Sequence, residues 1–291
     1  MHHIEFSGLG TAWAVLIDED TIPAHLPQEV NDLASEFEQK YSRFIPDSEI
    51  SKINDTTDSH HTISPELVQM LAFGLRLKNE TGSAFDPNVA HVLEDYGYDR
   101  HVSLQRKRAT QKRRKRGRFW LDGDTLITRG EVKLDLGSWG KGFLIDRIGS
   151  YLRRRGVKYF LVDGGGDMYG TAKRDGSRWS VALEHPIAAD EAFGVIDLRR
   201  QAIAGSGSQK RKIGSFHHLI DTGTDQPVRG IRSVHVVAQE AMVADGAATA
   251  IFVSPKHLWR HIATTFSVEF LVIFDDLQFI KSPGFSADLF V

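Results

Sequence analysis

Apolar residues recur along this chain with two periods. From about Leu9 to Asp18 they alternate with polar or small residues, which predicts a half-buried strand. Between Pro27 and Phe44, the residues Val30, Leu33, Phe37, Tyr41 and Phe44 fall three or four apart, predicting a helix that Pro46 ends. Ser64-Pro65 predicts the start of a second helix over LVQMLAFGLRLKNET, because a serine oxygen accepts from the exposed N–H groups of a first turn and proline has none to satisfy. Gly82 closes it. FWLDGDTLITRGEVKLDLG reads as short strands turning at Asp122-Gly123, a hairpin. The stretch from Phe143 to Arg155 reads as helix closed by Gly156, and VKYFLVDGGGDMYG as a buried strand running into a glycine loop. Further strands are predicted at Trp179 to Glu184, Gly194 to Leu198, Val234 to Val237 and Val268 to Phe274, and a short helix of small residues at Glu240 to Phe252. Strands outnumber helices and come in runs, so the expected class is α+β rather than a doubly wound α/β sheet. With no internal repeat and no long linker, one domain over 1–291 is expected, carrying a basic insertion near 101–118.

Composition narrows the function classes. The chain of 291 residues is 41% hydrophobic and 25% charged, ordinary for a globular protein, and has no apolar run of transmembrane length. Having no cysteine, it excludes disulfides, thiolate metal sites and a cysteine nucleophile. With no basic-then-apolar leader in MHHIEFSGLGTAWAVLIDED, this favours the cytoplasm, although a chain trimmed of an export signal would read the same. The net charge of −2 conceals an asymmetry: nine of the 36 Lys and Arg residues fall between Arg106 and Arg118, leaving 27 basic against 38 acidic residues elsewhere. Such a run is either a nucleic-acid patch or a solvated insertion. No aromatic residue interleaves it as a stacking platform would, so no nucleic-acid partner is expected.

The chemistry concentrates in a few segments. Leu134 to Asp146, LDLGSWGKGFLID, combines two carboxylates, three glycines and Lys141, which suits close backbone approach to a phosphate. Its spacing is neither a Walker A loop nor a dinucleotide fingerprint. In AMVADGAATAIF, Asp245 and Thr249 lie four apart on one helix face, so they are either a capping or surface pair or two oxygen ligands for a hard cation such as Mg2+. The loop from Asp163 to Asp167 is either a backbone nest or a tight turn. His217 and His218 offer a general base or a structural imidazole, with Asp221 as a possible orienting group. Ser206 and Ser208 lie one place off the centre of a nucleophile elbow.

Taken in order from about residue 8 to 253, LGTAW, SRFIPDSEISKIN, GSAFDPNV, LDLGSWGKGFLID, VDGGGDMYG, AIAGSG, HHLID and AMVADGAATAIF resemble the ApbE family of FAD:protein FMN transferases. The resemblance implies a T-fold-like α+β fold, mixed antiparallel sheets with packed helices. It implies FAD as substrate, Mg2+ as cofactor, and transfer of FMN to a Ser or Thr hydroxyl of an acceptor protein with release of AMP. FAD hydrolysis to FMN and AMP, or FAD binding without turnover, are the alternatives it leaves. By motif, Leu9 stands where the family usually has Met, Phe44 where an aromatic residue lies against flavin, and Ala84, Phe85 and Asp86 match a segment lining the FAD site. Asp135 and Lys141 match FAD contacts, and Leu219 an apolar contact. Asp245 and Thr249 match the side-chain metal ligands, Ser138 a backbone oxygen ligand, and His218 the histidine that activates the acceptor hydroxyl. Three departures stand out. HHLIDTGTDQP against HxIDP(x)TG displaces the proline and final glycine, DGGGD against NAGGD sets Asp163 near a pyrophosphate, and Gly205 stands for a threonine before SG.

Overall fold

Local signals place the longer helices and strands, and tertiary packing and sheet pairing place the short ones. The computed structural model describes residues 1–99, 116–188, 190–208, 212–213 and 216–290. The chain starts with a hairpin of β1 (His2–Gly8) and β2 (Thr11–Ile17), followed by α1 (Leu26–Tyr41), α2 (Glu49–Asn54), β3 (His60–Thr62), α3 (Pro65–Glu80) and α4 (Ala90–Asp95). Next come β4 (Arg118–Asp122), β5 (Thr125–Arg129), α5 (Gly140–Arg154), β6 (Phe160–Gly164), β7 (Met168–Gly170), β8 (Trp179–Glu184), β9 (Ala192–Leu198) and β10 (Gln201–Gly207). The two-residue strands β11 (Lys212–Ile213), β12 (Phe216–His217), β13 (Ile220–Asp221) and β14 (Gln226–Pro227) precede β15 (Ile231–Ala238) and α6 (Ala241–Val253). Then α7 (Trp259–Phe266), β16 (Glu269–Phe274), β17 (Phe279–Lys281) and β18 (Ala287–Leu289) complete the described chain.

The predicted α+β class holds. Eight strands form one antiparallel sheet in the order β1-β2-β6-β7-β10-β15-β16-β17, and β18-β9-β8 and β3-β5-β4 form smaller sheets. Alternation decides which face of the large sheet meets which layer. Ala202, Ala204, Val234 and Val272 pack with α1, α3, α5 and α6, whereas Leu161, Ile203, Leu271 and Ile273 pack with Trp179, Leu183 and Phe193 of the small sheet. Ser64 caps α3 by accepting from Leu67 N, as its sequence predicts. The Leu9-Gly10 turn of the first hairpin has positive φ at both residues, 51° and 71°, the backbone that matches strand twist. The sequence pattern missed α2, α4 and α7, the short strands β3, β7, β11–β14, β17 and β18, and the longer β1 and β10. β10 is QAIAGSG, too small in side chain to signal a strand, and it exists because β7 and β15 pair on either side of it.

Two features of this framework make room for a site. Strand β7 pairs with β10 at Gln201–Ile203, so from Ala204 onward β10 has no β7 partner along that edge. Helix α6 is buried at 12 of its 13 residues, and its small side chains let α5 and α3 close on it. At Gly246 an added Cβ would stand 2.5 Å from Phe73. The basic run from Arg106 to Lys115 lies outside the described residues.

Candidate active site

The N-termini of α5 and α6 meet because Gly142 has no side chain. A Cβ there would overlap Ala241 O and stand 2.7 Å from Met242 Cα. Across this contact Gly142 N donates to Asp245 Oδ2 at 3.0 Å. Lys141 then places its ammonium on the Asp167 carboxylate and 3.7 Å from Asp245 Oδ1. Both carboxylates are about nineteen-twentieths buried, with side-chain exposures of 4% and 5%, so one cation serves two charges that water barely reaches. Asp167 Oδ1 also accepts from Gly205 N at 2.9 Å, filling part of the edge of β10 that β7 leaves open. One turn beyond Asp245, Thr249 Oγ1 lies 3.0 Å from Ser206 Oγ of β10.

Asp146, on α5, holds the start of α6. Its two oxygens accept from Ala241 N and Met242 N, each at 2.9 Å, which satisfies two of the N–H groups that a helix leaves without partners. Burial pushes its carboxyl up to about 6 against the pull of those two hydrogen bonds.

The facing wall comes from the first hundred residues and from the β13–β14 hairpin. Arg43, buried, forms an ion pair with Asp135, donates to Tyr98 O at 2.8 Å and lies over the Phe44 ring, 4.3 Å from its centre. Phe44 itself is 39% exposed, an aromatic surface held flat by the guanidinium. Lys78 pairs with Asp86 at 2.8 Å, and Phe85 packs on Trp139. The adjacent histidines divide their roles. His217 is buried, meets Val228 O through Nε2 at 2.7 Å and packs edge-on against Phe252, whereas His218 faces the cleft with its ring 6.2 Å from that of Tyr98.

These walls enclose a cleft of about 520 Å3, within the range of small-molecule sites. Phe44, Phe85, Asp86, Asp135, Ser138, Lys141, His218, Leu219, Asp245 and Thr249, the residues marked out by the sequence, all line it. Leu9 and Ala84 do not. Leu9 sits in the turn before Gly10 and Thr11, which do line it, and Ala84 is buried behind the wall with its carbonyl accepting from Thr222 N at 3.0 Å. Arg43, Tyr98 and His235, which carry no signal of their own in the sequence, also face the cleft, as do Asp167 and Ser206, which the sequence marks only as part of a glycine loop and as an off-centre elbow serine. Arg43 and Asp167 stood inside quoted motifs, but nothing local tells that their partners are Asp135 and Lys141.

Asp163 is not among the residues lining the cleft, and its carboxylate accepts from Gly166 N at 2.7 Å inside its own loop. The glycine of the HHLIDTGTDQP segment, Gly223, has no positive φ; the left-handed position is Asp225, with φ of 58°.

The donor set suits a hard dication. Asp245 and Asp167 carboxylates and the Thr249 hydroxyl are oxygen donors, and the ammonium between the carboxylates already occupies a position that favours positive charge. With Lys141 and the N-terminus of α5 at the cleft, an anionic group bound there would find an ammonium beside it.

The family model described as the ApbE family matches residues 9–272. Relatives include the FAD:protein FMN transferase of Haemophilus influenzae, 29% identical over 278 residues covering 86% of this chain and 80% of that protein. That of Vibrio cholerae is 26% identical over 266 residues, 85% of this chain and 79% of that protein. Among solved structures, the flavin transferase ApbE from Vibrio cholerae superposes with a TM-score of 0.83 at 24% identity, and the ApbE protein from Thermotoga maritima with 0.85 at 23%. Each comparison covers 98% of this chain and 97% of the other, and at these identities the likeness is one of fold.

Proposed function

The chain belongs to the ApbE family, and from that premise we propose that it is a FAD:protein FMN transferase, joining FMN from FAD to a Ser or Thr hydroxyl of an acceptor protein and releasing AMP. The observation that carries this reading is the convergence of Lys141, Asp167, Asp245 and Thr249 on the cleft that His218 also faces. A transferase of this kind needs positive charge beside a pyrophosphate and a base for an incoming hydroxyl; Lys141 together with a dication on the two carboxylates would supply the first, and His218 the second.

In the proposed reaction the acceptor oxygen attacks the FMN phosphorus of FAD. The bond from that phosphorus to the bridging oxygen breaks, the electron pair leaves with AMP, and the hydroxyl proton passes to the His218 imidazole. Lys141 stabilises charge on the pyrophosphate, and the Arg43-backed face of Phe44 orients the isoalloxazine. Mg2+, held by Asp245, Thr249 and the Ser138 main-chain oxygen, would neutralise phosphate oxygens and ease departure of AMP. All of this is assigned to one catalytic domain, whose cleft draws on residues from Gly10 to Val253.

The test is mass spectrometry of the protein incubated with FAD, Mg2+ and a candidate acceptor. One FMN mass on a Ser or Thr, with AMP in equal amount, is expected. D245A should abolish the adduct, and H218A should slow it by roughly 100-fold or more, the scale of a lost general base. FMN and AMP without adduct would reassign the chain as a FAD pyrophosphatase, and intact FAD after long incubation would overturn the reading.

A further inference from the structure

Strands β13 and β14 pair through only two residue pairs, Ile220 with Pro227 and Asp221 with Gln226, yet His218 sits immediately before this hairpin. A two-stranded ribbon so short does not hold its own position in water. Ile220 packs on Val92 and Leu93 of α4 and Gln226 accepts from Tyr96 Oη at 3.4 Å, and hydrogen bonds and an ion pair tie it down on both sides. On one side Thr222 donates through Oγ1 to Ser83 O at 2.6 Å and through N to Ala84 O. On the other, the Arg116 guanidinium is bonded to the Asp225 carboxylate, donates through Nε to His91 Nε2 at 3.1 Å and lies 4.0 Å from Asp86 Oδ2. Arg116 therefore joins α4, the Phe85-Asp86 segment and the hairpin turn.

The base of that arginine is fixed independently. Next to it, Gly117 N donates to Glu131 O at 2.7 Å, Asn88 Nδ2 donates to Gly117 O at 3.1 Å, and a Cβ on Gly117 would stand 2.6 Å from Glu131 O. Asp225, for its part, is in the left-handed region, φ 58°, where a side chain is held at a cost that glycine avoids. An aspartate at this turn gives up glycine's freedom and brings a carboxylate to the guanidinium.

We propose that the Arg116–Asp225 pair is a latch that positions the His218 hairpin against the Asp86 wall of the cleft. Arg116 is a positioning residue, acting through Asp225 and the turn on the group that takes the acceptor proton. The inference rests on the transferase reading for its consequence in catalysis, and on the ion pair alone for its consequence in structure.

The test is a double-mutant cycle of R116A, D225N and the pair, on the full chain, with two readouts. Asparagine tolerates the left-handed turn, so D225N removes the charge and leaves the backbone conformation allowed. Each single variant should lower kcat by ~10-fold with KM for FAD within about twofold of the parent, and the double variant should be no slower than either single, as expected for coupled residues. Hydrogen–deuterium exchange across 217–228 should quicken in both singles. Additive losses in kcat, or exchange at 217–228 unchanged by D225N, would overturn the latch. If R116A fails to fold, the D225N exchange result decides alone. A parent protein that transfers no FMN sinks the transferase reading, while the exchange measurement still decides the latch.

Discussion

At Lys141 one ammonium is shared by two carboxylates that are almost wholly withdrawn from water. Removing it leaves Asp167 and Asp245 as neighbouring buried charges. K141A should therefore lose roughly 3 kcal/mol of stability, the usual scale for breaking a buried ion pair. Mg2+ should recover part of that loss in a thermal melt where the same ionic strength of Na+ does not. Recovery by Na+ alone would show that the carboxylates do not hold a dication. Lys141 and Asp245 are marked by their place in the ordered motifs, since a carboxylate four before a hydroxyl on a helix is by itself as readily a capping or surface pair. Asp167 was not readable as their partner, since an aspartate beside glycines more often closes a turn. That is what Asp163, at the other end of the same loop, does.

Between elements, the close approach of α5 to α6 hangs on Gly142 and Asp146. G142A would force Ala241 and Met242 away, costing roughly 1–3 kcal/mol as overpacking does. Because Gly142 N also holds Asp245, affinity for Mg2+ measured by calorimetry should fall with it. Unchanged affinity would mean that α6 is placed by its other neighbours. Asp146 gives the interface a pH signature. Its carboxyl is raised from 3.8 to about 6 by burial, so over that window the folded chain holds the proton more tightly than the unfolded one. Its contribution to stability thus declines as pH rises through the window and is level above it. Roughly 3 kcal/mol is involved for a shift of this size. Denaturant unfolding of D146N and the parent should show their difference moving toward the variant by up to that amount between about pH 4 and 7. A difference that is constant with pH would contradict the assignment. The elements themselves were largely legible: α3 from Ser64-Pro65 and the β4–β5 hairpin from Asp122-Gly123 were predicted within a few residues. Helix α1 stops at Tyr41, short of the Phe44 that the period suggested, and Phe44 is instead turned to the cleft.

For the whole molecule, the cleft lies where the large sheet lacks a neighbour for the end of β10, and segments from Gly10 to Val253 line it. A ligand bound there bridges parts that must separate on global unfolding. FAD with Mg2+ at about a hundred times Kd should stabilise the fold by ~2.7 kcal/mol, read as a rise in Tm of roughly 5–10 °C for a chain of this length. No rise at saturation would mean that FAD does not occupy the cleft. No helix among the described residues is long and apolar enough to cross a membrane. What the sequence determined by itself was what neighbours within a few positions decide: helices with capped ends, hairpin turns, alternating strands, and the order of motifs that points to the family. Only the tertiary structure decided that Arg43 meets Asp135 across 92 positions, that Asp167 meets Lys141, that Asp225 takes the left-handed conformation, and that β10 is a strand. Pairings of charges and strands over such separations leave no period in the chain. They form only when the packed sheets and helices bring the groups together and remove the water between them.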